Sequence, residues 1–122
     1  MMRLDALLRN LTTSGVSYIV VGGVAATIHG SSRFTRDLDI VYARDATNLE
    51  RLVAALAAHT PALRGAPPGL PFRFDVETLK AGLNFTLTTD LGEIDLLGEI
   101  SGGGRYEQLL KTTRRMLEAI AA

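Results

Sequence analysis

The chain contains no cysteine. That excludes disulfide cross-links and thiolate metal sites, and removes the main sequence signature of a secreted scaffold. It carries no excess charge either, since 13 lysines and arginines balance 13 aspartates and glutamates. Nothing in that balance favours a polyanion or a membrane surface as partner, so any electrostatic function must be local. Long apolar runs are also missing. The opening MMRLDALLRN has no uninterrupted apolar stretch of signal-peptide length, and no segment approaches the roughly 20 apolar residues that span a bilayer. A cytoplasmic protein with no membrane partner is the expectation. The chain has neither G-x-G-x-x-G nor a Gly-Lys-Ser/Thr P-loop, which disfavours a dinucleotide fold. There is no internal repeat and no linker that would divide it.

What remains is an ordinary globular composition. With 122 residues, 47% apolar and 21% charged, residues 1–122 fit a single domain with a real core. Leu4, Leu7, Leu8 and Leu11 fall at helical spacing before Ser14-Gly15, which predicts a short amphipathic helix. Tyr18-Ile19-Val20-Val21 is a β-branched run ending in Gly22-Gly23, with a short helix expected over residues 24–28. Asp37-Leu38-Asp39-Ile40-Val41-Tyr42 alternates and then becomes continuously apolar, as in a central strand that exposes only its first half. Leu49, Leu52, Val53, Leu56 and Ala57 give a helix with Asp45 or Thr47 as N-cap. Residues 60–71, rich in proline and glycine, read as one irregular segment, a mobile loop or a cover over a site. Residues 83–89 and 93–97 predict a β-hairpin across Asp90-Leu91-Gly92. A last amphipathic helix is expected from Arg105 onward, on the face of Tyr106, Leu109, Leu110, Thr113, Leu117 and Ile120.

Three carboxylates carry the chemistry. Asp37 and Asp39 point to one face of their strand, about 6.5 Å apart at ~3.3 Å per residue. Asp95 lies between apolar neighbours in Glu93-Ile94-Asp95-Leu96-Leu97, with no lysine or arginine adjacent in sequence. If its strand lies beside that of Asp37 and Asp39, the charges raise one another's pKa or require a cation. The candidate ligands are all oxygens, with no histidine pair at metal spacing, so Mg²⁺ or Mn²⁺ is favoured over zinc. Two such ions roughly 3.5 to 4 Å apart would bridge a triphosphate and activate a hydroxyl. Asp37 and Asp39 would grip the nucleotide-side ion and Asp95 the nucleophile-side ion. Gly22-Gly23 offers bare amides at a helix N-terminus, suited to phosphate oxygens.

The order of these residues resembles the nucleotidyltransferase superfamily related to DNA polymerase beta. Its signature is an apolar residue, Gly-Gly or Gly-Ser, a spacer, then Asp-x-Asp flanked by apolar residues. Val21-Gly22-Gly23, 13 intervening residues and Asp37-Leu38-Asp39-Ile40 fit it, and Asp95 in GEIDLL matches the third carboxylate. VVGGVAATIHGSSRFTRDLDIV is similar in particular to a small bacterial group that includes abortive-infection and toxin-antitoxin components. The resemblance covers roughly residues 16–106. It implies an α/β (α+β) domain with a mixed sheet of about four strands flanked by helices, two metal ions, and transfer of a nucleoside monophosphate from a triphosphate such as ATP to a hydroxyl. The acceptor (RNA, protein or small molecule) is left open. Members of the family continue well past the position of Ala122, so a C-terminal segment that binds base or acceptor is expected to be missing.

Blander readings stand beside these. Gly22-Gly23 alone is a tight turn more often than a phosphate cradle. Arg33 and Arg36 are bidentate candidates for triphosphate oxygens, or simple ion-pair partners of the aspartates. His29 before Gly30 reads as a helix end rather than a catalytic group, and His59 has no evident role. Glu93 either joins Asp95 or is solvated on an edge strand, the second being favoured. The basic stripe of Arg105, Lys111, Arg114 and Arg115 reads as a solvated face. Two further readings are a non-catalytic nucleotide-binding or antitoxin module with a protein partner, and a homodimer that covers an unpaired sheet edge or apolar helix face.

Overall fold

Alternation of side chains in two strands organises the molecule. The computed structural model describes residues 3–22, 37–67, 69–100 and 104–112. Asp37–Tyr42 forms a strand in which Leu38, Ile40 and Tyr42 are fully buried. Gly92–Leu97 forms a second, in which Ile94 and Leu96 are fully buried. We number the elements in chain order: α1 (Leu4–Thr13), β1 (Tyr18–Val21), β2 (Asp37–Tyr42), α2 (Ala46–Leu56), β3 (Ala62–Leu63), α3 (Val76–Ala81), β4 (Asn84–Thr89), β5 (Gly92–Leu97), β6 (Glu99–Ile100) and β7 (Gly104–Arg105).

The main sheet has the order β1-β2-β5-β4-β3, and β6 with β7 forms a separate two-stranded ribbon. β2 and β5 run parallel at its centre, while β1, β4 and β3 add antiparallel neighbours. One face of this mixed sheet meets the helices. Leu7 and Leu11 of α1, Leu49, Leu52 and Leu56 of α2 and Leu79 of α3 join Leu38, Ile40, Tyr42, Leu87, Ile94 and Leu96 in one core. Each such fully buried side chain contributes about 1.5–3 kcal/mol of transfer free energy.

Local chemistry sets the boundaries. Asp45 is the N-cap of α2, its carboxylate accepting from the Asn48 amide at 3.2 Å, and Asp75 caps α3 through the Thr78 amide at 2.8 Å. Both supply an acceptor to a first-turn donor that has no partner inside the helix. Asn48 is the buried polar side chain among the described residues. It accepts from the Ser17 amide and donates to the Ser17 and Ala43 carbonyls, tying the loop before β1 to the loop after β2. Tyr42 buries its ring and donates its hydroxyl to the Leu83 carbonyl at 2.7 Å.

Three sequence expectations change. The main sheet has five strands rather than four, because Ala62–Leu63 pairs with β4 inside the segment read as wholly irregular. Two residues after Pro61 are too few to show an alternation. The six-residue α3 also escaped the periodicity reading, since it buries only Leu79. Glu93 does not lie on an edge strand, because β5 is held between β2 and β4. The helix expected over residues 24–28 and the end of the last helix lie outside the described residues, although residues 106–112 are helical. No helix among the described residues is long and apolar enough to cross a membrane.

Candidate metal centre

The side of the sheet away from α1, α2 and α3 carries the acids. In the parallel register of β2 and β5, Asp37 stands beside Glu93 and Asp39 beside Asp95. On β4, Thr86 is the partner of Asp95, and on β1, Val21 is the partner of Asp39. Leu38, Ile40, Ile94 and Leu96 turn the other way into the core, so the pleat obliges the alternate acidic positions to share the opposite face.

Asp37, Asp39 and Asp95 each offer a carboxylate oxygen, and these oxygens lie within 4.8 Å of one another. Opposite ligands of an octahedral Mg²⁺ are roughly 4.2 Å apart at ~2.1 Å per bond, so small side-chain rotations bring the three onto a common ion. The donor set also fits a hard cation, being oxygen throughout. Asp39 Oδ1 is buried with no hydrogen-bond donor, leaving lone pairs that burial makes costly to leave unused, and buried Asp95 Oδ1 has the Arg64 guanidinium 2.8 Å away. The triad can therefore hold a metal ion.

Electrostatics point the same way. Burial, and then the negative charges of Asp95 and Asp37, push the pKa of Asp39 up to about 6, with Arg64 opposing the rise. Burial and like charge both disfavour the ionised form of this carboxyl. A divalent ion would offset the like charge.

Gly22 closes one side of the site. Its φ of +75° is the left-handed conformation that glycine tolerates, and a Cβ there would run into the Asp39 carboxylate, with Asp39 Cγ only 3.2 Å away. A side chain at this position would therefore displace a triad member. Gly23, Arg33, Arg36 and His29 lie outside the described residues.

The residue that the sequence reading missed is Arg64. Sequence adjacency shows no cation near Asp95, yet the guanidinium of Arg64, just beyond β3, reaches three acids. Nη2 is 2.8 Å from Asp95 Oδ1, Nε is 3.4 Å from Glu93 Oε2 and Nη1 is 3.8 Å from Asp37 Oδ2. Nη2 also donates to the Leu87 carbonyl at 3.0 Å, so one guanidinium nitrogen serves both that carbonyl and the charge of Asp95. Glu93 joins this network rather than standing alone in solvent. The signal in sequence was slight: one arginine, between Leu63 and Gly65, in a segment otherwise made for turning. His59 lies away from the triad, paired with Asp90 at 2.8 Å beside the β4–β5 turn.

Comparisons with family models, curated proteins and solved structures give no match for this chain. Its functional reading rests on its own residues.

Proposed function

We propose that the chain is a metal-dependent nucleotidyltransferase that moves a nucleoside monophosphate from a nucleoside triphosphate to a hydroxyl of RNA, a protein or a small molecule. The observation that carries this reading is the side-by-side register of Asp39 and Asp95, whose carboxylate oxygens lie with one of Asp37 within 4.8 Å of one another. Mg²⁺ or Mn²⁺ bound there would neutralise phosphate charge and lower the pKa of the attacking hydroxyl. Asp37 and Asp39, two residues apart on β2, would fix the triphosphate side of the site, and Asp95 on β5 the hydroxyl side. In the transfer, the hydroxyl gives its proton to solvent and its oxygen bonds to the α-phosphorus, while the bond from that phosphorus to the α–β bridging oxygen breaks and pyrophosphate leaves with the electron pair. The chain's part is positioning and charge complementarity, which dominate phosphoryl chemistry.

The test is incubation with labelled nucleoside triphosphates, Mg²⁺ or Mn²⁺ and a panel of acceptors, comparing wild type with Asp39→Asn and Asp95→Asn. Label transfer is expected from wild type and from neither variant. Transfer that survives either substitution removes the mechanism.

One observation favours a second reading, a non-catalytic nucleotide-binding or antitoxin module. Arg64 already engages Asp37, Glu93 and Asp95, as it would in a self-neutralised structural network. Against this, one guanidinium faces four carboxylates and makes no ion pair with Asp39. A folded wild type that binds nucleotide but transfers no label to any acceptor would favour the module.

A further inference from the structure

Arg64 is held too firmly to be an incidental surface contact. Its backbone amide donates to the Thr86 carbonyl at 2.9 Å, and Nη2 donates to the Leu87 carbonyl at 3.0 Å. The side chain is only 24% exposed, and Nε is buried without a hydrogen bond. From the sheet edge at β3 the side chain therefore crosses β4 and ends among carboxylates on β5 and β2. A guanidinium there and a divalent ion on the triad would compete for the same oxygens and repel each other as like charges.

One of the three partners of Arg64 offers a way out. Glu93 is not part of the triad, yet its carboxylate lies 3.4 Å from Nε. The guanidinium can thus leave Asp95 and stay paired with Glu93, at the rim of the same face.

Resting on the metal-site reading above, we propose that Arg64 is a built-in counter-cation for the triad: it neutralises Asp95 and Asp37 in the metal-free chain, moves off Asp95 when a divalent ion binds, and so sets the metal concentration at which the site fills. Arg64 is a positioning residue in this scheme, acting through the ligands rather than on the substrate. Such outer partners of metal ligands shift affinity by roughly 10- to 100-fold when replaced. They usually strengthen binding, whereas a competing cation must weaken it, and the sign is what distinguishes this proposal.

The experiment is Mn²⁺ titration of the full chain followed by electron paramagnetic resonance, on wild type, Arg64→Gln, Arg64→Lys and Asp39→Asn. Arg64→Gln is expected to bind Mn²⁺ about tenfold more tightly than wild type. Arg64→Lys, which keeps the charge but cannot span three carboxylates, should fall between them, and Asp39→Asn should lose binding. In parallel, the Nε–H resonance of Arg64 in the wild-type chain is followed during Mg²⁺ addition, and is expected to move with a midpoint matching metal occupancy. This second measurement decides the matter even if Arg64→Gln does not fold. Unchanged or weaker Mn²⁺ binding by folded Arg64→Gln, or an Arg64 resonance that stays still while metal binds, overturns the role of Arg64 alone. Equal binding by Asp39→Asn and wild type, or no binding by wild type and Arg64→Gln alike, overturns the metal site itself and this inference with it.

Discussion

The two faces of the β2–β5 pair share a backbone and little else. On one side Leu38, Ile40, Ile94 and Leu96 are fully buried against three helices. On the other, at intervening positions, stand Asp37, Asp39, Glu93 and Asp95, with one arginine that pairs with three of them and not with Asp39. The helix face supplies stability at every residue. The acidic face costs stability through crowded negative charge, and a cost confined to one patch of an otherwise consistent fold is where the proposed function is to be tested.

The contrast can be broken by substitution. The largest effect is expected on the helix face: Leu96→Ala should destabilise the chain by about 2–5 kcal/mol in urea unfolding through the cavity it leaves, with Mn²⁺ affinity little changed in the folded protein. Gly22→Ala comes next. The left-handed backbone costs about 1–2 kcal/mol for a residue with a Cβ, and displacement of the Asp39 carboxylate should weaken Mn²⁺ binding in the same variant. A change that moved stability and left metal affinity intact would separate Gly22 from the site. Asp45→Ala, on neither face, should cost about 1 kcal/mol in thermal or urea unfolding by removing the α2 cap, and serves as the control.

The last effect has the opposite sign. Because the folded chain raises the Asp39 pKa to about 6 from an ordinary 3.8, the folded state binds more protons than the unfolded chain between those values. The contribution of this group to stability is therefore present below about pH 4, falls as pH rises to about 6, and stays lost above. Metal-free Asp39→Asn should escape that loss, so its thermal midpoint should match or exceed that of wild type at pH 7 and change less than that of wild type between pH 4 and 7. A wild-type profile parallel to that of the variant would show that the acids do not repel as described.

Legibility followed the length of each pattern. α1, β2 and the β4–β5 hairpin were readable because four or more residues repeated one period, whereas the cap of α2 was readable only as Asp45 or Thr47 and the structure selects Asp45. β3 and α3 were too short to show a period. For the site, the same-face placement of Asp37 and Asp39 followed from their spacing alone, while that of Asp95 depended on its strand lying beside β2. Arg64 had no counterpart in sequence: 31 positions separate it from Asp95, and only the fold of β3 against β4 brings them together.

By itself, then, the sequence determined which side chains must point the same way along each strand, because the pleat has a period of two wherever the strand lies. It determined too that the acids alternate with core residues. Tertiary structure decided the rest: that β5 lies parallel to β2 with Asp95 beside Asp39, and that an arginine from a turn reaches across a strand to meet them. Pairing partners and register are set by how several elements bury their apolar faces together, and no local run of residues contains that information.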